Sequence, residues 1–234
     1  MFGGHMRDIV YILKEDIEPD EIRYSLRSVE ANFPYNRVWF VCGKPKGIEP
    51  DIWIRHKQSG SSKWDLIKSS MKQVIYDPDL TDEFYLFNDD FFVMKPFEGE
   101  FINYSQKTLT WRVAELFFGK LKETPYSRTL IKAREELKTL GYEEINFEVH
   151  LPMLINKELM QKCIDLCSSP QMRSEYGNIN RVPYIDCDDV KVYDLKTVPK
   201  KNDFISTTDK SFHEGAVGRY IREMFKEPSR FERN

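Results

Sequence analysis

The sequence predicts an α/β fold built on a mostly parallel sheet, and three observations carry that expectation. An apolar, β-rich run (Asp8–Leu13), a helix-period segment and a second β-rich run (Arg37–Cys42) follow one another, the order that opens a parallel sheet. Both runs are almost continuously apolar, as strands buried on both faces require. The third observation is Phe84-Tyr85-Leu86-Phe87-Asn88-Asp89-Asp90-Phe91-Phe92, where a buried-strand run ends in an amide and two adjacent carboxylates before apolar residues resume.

The elements follow in order. After Pro19, residues Ile22, Leu26, Val29 and Phe33 make one helical face that stops before Pro34, with Asp20 as its cap. The strand Arg37–Cys42 closes in the loop from Gly43 to Gly47, and Ile52–Arg55 reads as a short third strand. Gln58–Ser62 reads as a loop, and Trp64, Ile67, Met71, Val74 and Ile75 supply a second helical face ended by Asp77-Pro78. This is a doubly wound start whose loops converge on one edge, where a nucleotide would sit. Beyond residue 100, Leu109–Val113 reads as a strand, and Tyr126, Leu130, Ala133, Leu137 and Leu140 as a helix ended by Gly141. A helix from Lys157 to Cys167 precedes a polar loop, Arg173–Asn178. Short β-like pieces alternate with charged turns between Asp186 and Asp209, and Val217–Phe225 is an amphipathic helix.

A chain of 234 residues is long enough to bury a real core, and the absence of repeats or a low-complexity linker predicts one domain over residues 6–234. Residues Met1–His5 resemble an expression remnant. A net charge of -3 gives no field that would draw nucleic acid or an anionic membrane, and no apolar stretch approaches the length of a bilayer span. Cys42, Cys163, Cys167 and Cys187 lack paired CxxC spacing and read as reduced thiols of a cytoplasmic protein.

Asp89 and Asp90 are the candidate metal ligands. Hard carboxylate oxygens suit Mg²⁺ or Mn²⁺ shared with a diphosphate, and open α/β sheets bind ligands beyond the carboxyl ends of their strands. The same triplet also suits an ordinary turn. Asn88 is placed to orient the carboxylates or touch a phosphate. Arg23 and Arg27, four apart on one helical face, either pair with nearby acids or reach the diphosphate edge, and Lys63 is placed to neutralise phosphates. Lys68, His56 and His213 carry no motif and read as solvated or structural.

Taken together, Glu21–Glu30, Val38–Val41 and Phe84–Pro96 resemble, in order and spacing, the second conserved block of the Stealth family of sugar-phosphate transferases. His150-Leu151-Pro152 with Arg173-Ser174 is similar to the third block, Phe225–Glu232 to the closing signature, and Asp203–Ile205 with Asp209 to the piece before it. The chain departs from the family where a Trp-Val-Asp-Gly-like motif is usual and Leu13-Lys14-Glu15-Asp16 stands instead. The resemblance implies a glycosyltransferase-A-like (Rossmann-like) sheet flanked by helices, with an irregular C-terminal α+β portion. It also implies a nucleotide-sugar donor, a hydroxyl acceptor on a glycan or glycoconjugate, and transfer of hexose-1-phosphate. In that reaction Asp90, His150 and Arg173 are catalytic: Asp90 on the cation, His150 as acid or base, Arg173 against charge building on phosphoryl oxygens. Glycosyl transfer with release of nucleoside diphosphate, and a catalytically silent sugar-nucleotide or glycan-binding module, are the competing readings.

Overall fold

Along the first part of the chain the elements are β1 (Asp8–Leu13), α1 (Pro19–Asn32), β2 (Val38–Cys42), β3 (Ile52–Ile54), α2 (Lys63–Ile75), β4 (Glu83–Phe87), β5 (Phe91–Val93), β6 (Asn103–Ser105), α3 (Leu109–Phe117) and α4 (Pro125–Thr139). There follow β7 (Met153–Asn156), α5 (Lys157–Leu166), α6 (Met172–Ile179), β8 (Tyr184–Asp186), β9 (Lys191–Val192), β10 (Phe204–Thr207), α7 (Asp209–His213) and α8 (Ala216–Met224). This computed structural model describes residues 6–57, 63–118 and 123–233, without the side chains of Lys63 and Trp64. The expected loop Gln58–Ser62 lies outside the described residues.

The five-stranded sheet has the order β3-β2-β1-β4-β7, with β1 to β4 parallel and β7 antiparallel at the edge. Because side chains alternate across a strand, Ile9, Tyr11, Leu13, Tyr85 and Phe87 face one layer, where Ile22, Leu26 and Val29 of α1 cover them. Val10, Phe84 and Leu86 face the other layer, with Met71 and Val74 of α2 and Met160 and Ile164 of α5. Each such fully buried side chain contributes about 1.5–3 kcal/mol, so the two apolar layers dominate what holds the sheet.

A second, three-stranded sheet, β5-β10-β9, grows from the end of β4. Its β5 edge is finished by α1. Ser25 Oγ donates to Phe91 O (2.6 Å), Val93 N donates to Ser28 Oγ (3.0 Å), and Asn32 Nδ2 donates to Val93 O (2.8 Å). Successive turns of one helical face thereby satisfy a strand edge that has no further strand. The C-terminal residues latch onto the same helix: Phe231 is buried, and Glu232 accepts both Arg27 Nε (2.7 Å) and Arg27 Nη2 (2.6 Å).

Three local expectations are corrected. Leu109–Val113 is not a strand but the start of α3. Thr108 caps it by accepting Trp111 N (3.1 Å), and Leu109 and Val113 pack on Leu130, Ala133 and Leu137 of α4. Arg173–Asn178 is not a loop but the buried helix α6. Its polar side chains serve the strandless segment 145–147: Ile145 N donates to Asn178 Oδ1 (2.9 Å), Asn178 Nδ2 to Ile145 O (2.8 Å), and Phe147 N to Ser174 Oγ (3.1 Å). The cap of α1 is Glu18, without a side-chain bond. Pro19 fixes the first turn, and Asp20 lies inside it, where its charge favours the helix N-terminus. Among the described residues no helix is long and apolar enough to cross a membrane.

Candidate active site

The strand order reverses between β1 and β4, whose carboxyl ends lie side by side in the register Tyr11↔Phe87. Ligands of open α/β sheets bind at such a switch point. Here β4 runs into Asn88-Asp89-Asp90, a tight turn in which Phe91 N donates to Asn88 O (3.2 Å) and the chain re-enters as β5. The triplet is thus a turn, and it is a turn at the switch point.

Asp90 is 9% exposed and fixed from neighbouring strands. Lys191 Nζ of β9 (2.8 Å) and Ser206 Oγ of β10 (2.9 Å) both donate to its Oδ2. Asp89 is half-buried beside it. Burial, then the charge of Asp90, raise the Asp89 carboxyl to about 6 against the pull of Lys14 and Lys191. Glu21, on the first turn of α1, accepts Thr207 Oγ1 (2.9 Å). Burial, then Asp89, Asp90 and Asp209, push it up to about 7. These acids form a focus of negative charge that the nearby lysines do not fully offset, an all-oxygen donor set suited to Mg²⁺ or Mn²⁺. Among the described residues, three ligand atoms converge instead at Glu136, Cys167 and Glu175. An ion at Asp89 and Asp90 would therefore take further oxygens from a diphosphate or water, as Mg²⁺ commonly does.

His150 reaches the same group by a short relay. Its Nδ1 lies 2.8 Å from Asp189 Oδ1, which also accepts Lys191 N (3.0 Å), while the Lys191 ammonium holds Asp90. Burial lifts the Asp189 carboxyl, but His150 and the Lys191 amide outweigh it and hold it below the usual range. Because a carboxylate can only accept, the arrangement favours the proton on Nδ1 and leaves Nε2 as the basic nitrogen.

Arg173, on α6, is 8% exposed and lies behind the turn. Nη1 donates to Leu151 O (2.6 Å), and Nη2 to Asn88 Oδ1 (3.1 Å) and Leu86 O (3.4 Å). Burial lowers its pKa, opposed by Glu148 and Asp90. Asn88, Asp89, Asp90, His150 and Arg173 are thus brought into one neighbourhood, with Arg173 bracing Asn88.

Arg23 and Arg27 stand apart from it. Arg27 is committed to Glu232 and to the carbonyls of Phe225 and Lys226 (3.0 Å each), and Arg23 Nε lies 3.6 Å from Glu232, which is the acid-pairing alternative. Lys63 opens α2, but its side chain is outside the described residues. Lys68 donates to the carbonyls of Cys167 and Ser169, and His213 pairs with Asp209. A cavity of about 600 Å³ lined by Tyr142, Phe147, Asn178 and Tyr184 includes none of the groups around Asp90.

Sequence reasoning missed Asp189, Lys191 and Ser206. Lys191 and Ser206 sit in short strands and Asp189 in the charged loop before β9, where nothing local distinguishes a site residue from a solvated one. Glu21 lies inside the block that resembles the Stealth family, where its carboxylate looks like that of its neighbour Asp20.

No protein-family model and no curated protein matches the chain. Among solved structures it is similar to the galactosyltransferase LgtC in complex with donor and acceptor sugar analogs, with a TM-score of 0.50 and 10% identity over 95% of this chain and 96% of that one. An active-site mutant of LgtC aligns with a TM-score of 0.43 and 11% identity over 96% of this chain and 85% of that one. The first likeness agrees with the topology: the fold is a glycosyltransferase-A-like α/β arrangement, a mostly parallel sheet flanked by helices.

Proposed function

We propose that this chain is a divalent-cation-dependent transferase that takes a nucleotide-diphosphate sugar and transfers hexose-1-phosphate to a hydroxyl of a glycan or glycoconjugate, in the manner of the Stealth family. The observation that carries the reading is the half-buried relay joining His150 through Asp189 and Lys191 to Asp90 at the switch point. It sets a base and an anionic cation-binding edge into one connected unit.

Asp89 and Asp90 would hold Mg²⁺ or Mn²⁺, with Glu21 close enough to add to the field. The cation would neutralise the diphosphate and stabilise the departing nucleotide. His150 Nε2 takes the proton of the acceptor hydroxyl, whose oxygen forms a bond to the sugar-proximal phosphorus. The bond from that phosphorus to the bridging oxygen breaks, and nucleoside monophosphate leaves with the electron pair. Asp189 orients the imidazole and stabilises its charged form. Arg173 positions Asn88 and adds positive potential behind the turn, and Lys191 fixes Asp90.

Attack at the anomeric carbon is the second reading, favoured by the likeness to a galactosyltransferase. A panel of nucleotide sugars incubated with Mn²⁺ and a hydroxyl acceptor separates the two: monophosphate release supports hexose-1-phosphate transfer, and diphosphate release supports glycosyl transfer. Binding without any product would leave only a binding module.

A further inference from the structure

On the opposite side of the sheet from α1, we infer that Glu136, Cys167 and Glu175 form a second metal site, distinct from the carboxylates at the switch point, that takes a Zn²⁺-class transition-metal ion. The three come from α4, the end of α5 and α6, and one ligand atom from each lies within 4.8 Å of the others. Glu175 is 0% exposed, and neither of its carboxylate oxygens makes a well-formed hydrogen bond, although the Ser169 hydroxyl stands beside it. A buried carboxylate without partners is costly, and such groups normally find a donor or a cation.

Glu136 is already oriented for the task. Its Oε2 accepts Ser168 N (3.1 Å) and Ser169 N (2.9 Å), and its Oε1 accepts the Ser168 hydroxyl, the kind of outer hydrogen bonding that fixes metal ligands. Charge also balances. Two carboxylates, one thiolate and the Lys68 ammonium, which is anchored on the carbonyls of Cys167 and Ser169, sum to zero with a divalent ion. Sulfur in the set selects Zn²⁺ over Mg²⁺, and Zn²⁺ ligands at ~2.0–2.3 Å need only a modest closure of these side chains, with water in a fourth position. Such an ion would tie three helices together, and α6 also carries Arg173, whose guanidinium holds Asn88. A protonated Glu175 is the alternative that leaves the pocket without metal.

The test uses the full chain, stripped with a chelator and titrated with Co²⁺ while absorption is followed. One equivalent should produce a thiolate-to-cobalt charge-transfer band in the near-ultraviolet, displaced by Zn²⁺. Cys167→Ser should abolish the band, while Cys187→Ser and Asp89→Asn keep it, and Glu175→Gln should weaken cobalt binding by about 10-fold or more. No band with the stripped protein, or a band that survives Cys167→Ser, overturns the inference. Should Cys167→Ser fail to fold, an unchanged cobalt affinity in folded Glu175→Gln overturns it equally. The thiolate band is silent about transferase activity, so its loss and the loss of the proposed function are separate outcomes.

Discussion

Asp90 is held by a lysine and a serine from two neighbouring strands, and that environment defines what single residues should do. His150→Gln, which keeps the ring's volume approximately and removes the base, should lower turnover by about 10²–10⁴-fold with folding intact, measured by nucleotide release and circular dichroism. Glu21 and Asp89 supply the pH dependence. Their folded-state carboxyls are raised to about 7 and about 6, so the native state binds more protons than the unfolded one as pH rises from about 4. Stability is therefore undiminished by these groups at low pH and is lost as pH climbs through 5 to 7. Glu21→Gln should raise the stability of the cation-free protein at pH 8 by about 1–3 kcal/mol and change it little at pH 4, read from urea unfolding at the two values. Mn²⁺ should raise the melting temperature more at pH 8 than at pH 5.5, because at the lower pH protons compete for the same oxygens. Of these residues Asn88, Asp89, Asp90, His150 and Arg173 were legible in the sequence, the aspartates because ionisable groups interrupt an apolar run. Asp189 and Lys191 were not, since their meaning comes from partners at a distance of 39 and 101 residues along the chain.

At the scale of elements, α1 carries two jobs at once: its apolar face covers β1 and β4, and Ser25, Ser28 and Asn32 finish the edge of β5. Ser25→Ala would strand the Tyr11 hydroxyl (3.0 Å from Ser25 Oγ) and the Phe91 carbonyl in the core, and should cost about 1–3 kcal/mol in equilibrium unfolding. Gly43 follows β2 where the loop after β1 passes close. A Cβ there would lie 1.7 Å from Lys14 O, so Gly43→Ala must push apart the loops that follow β1 and β2 and should destabilise by at least ~1–3 kcal/mol. The strands β1 to β4 and the helices α1, α2, α4, α5 and α8 were readable because their apolar positions repeat with the right period. By contrast, α3 was misread: five residues of Leu109–Val113 look β-like until the Thr108 cap is recognised. The polar composition of α6 concealed a buried helix because its side chains bond to backbone that no strand pairs.

For the whole molecule, the doubly wound order places every residue of the proposed machinery at one edge, with the last residues of the chain returning to brace α1. Arg27 and Glu232, 10% and 12% exposed at their side chains, make a two-bonded ion pair 205 residues apart in sequence. Glu232→Gln leaves Arg27 with a weaker partner and should lower the free energy of unfolding by about 1–3 kcal/mol while leaving nucleotide release per folded molecule unchanged. The latch commits Arg27, and Arg23 Nε stands 3.6 Å from the same carboxylate. The central claim is that two neighbouring carboxylates at the switch point hold a divalent cation against the diphosphate of an activated sugar. It is tested most directly by measuring nucleotide release from a panel of nucleotide sugars by wild type, Asp89→Asn and Asp90→Asn, with Mn²⁺ and with chelator. The account predicts monophosphate release that needs the cation and falls by at least about 10²-fold in both variants. Release that continues undiminished in chelator and in both folded variants would contradict it.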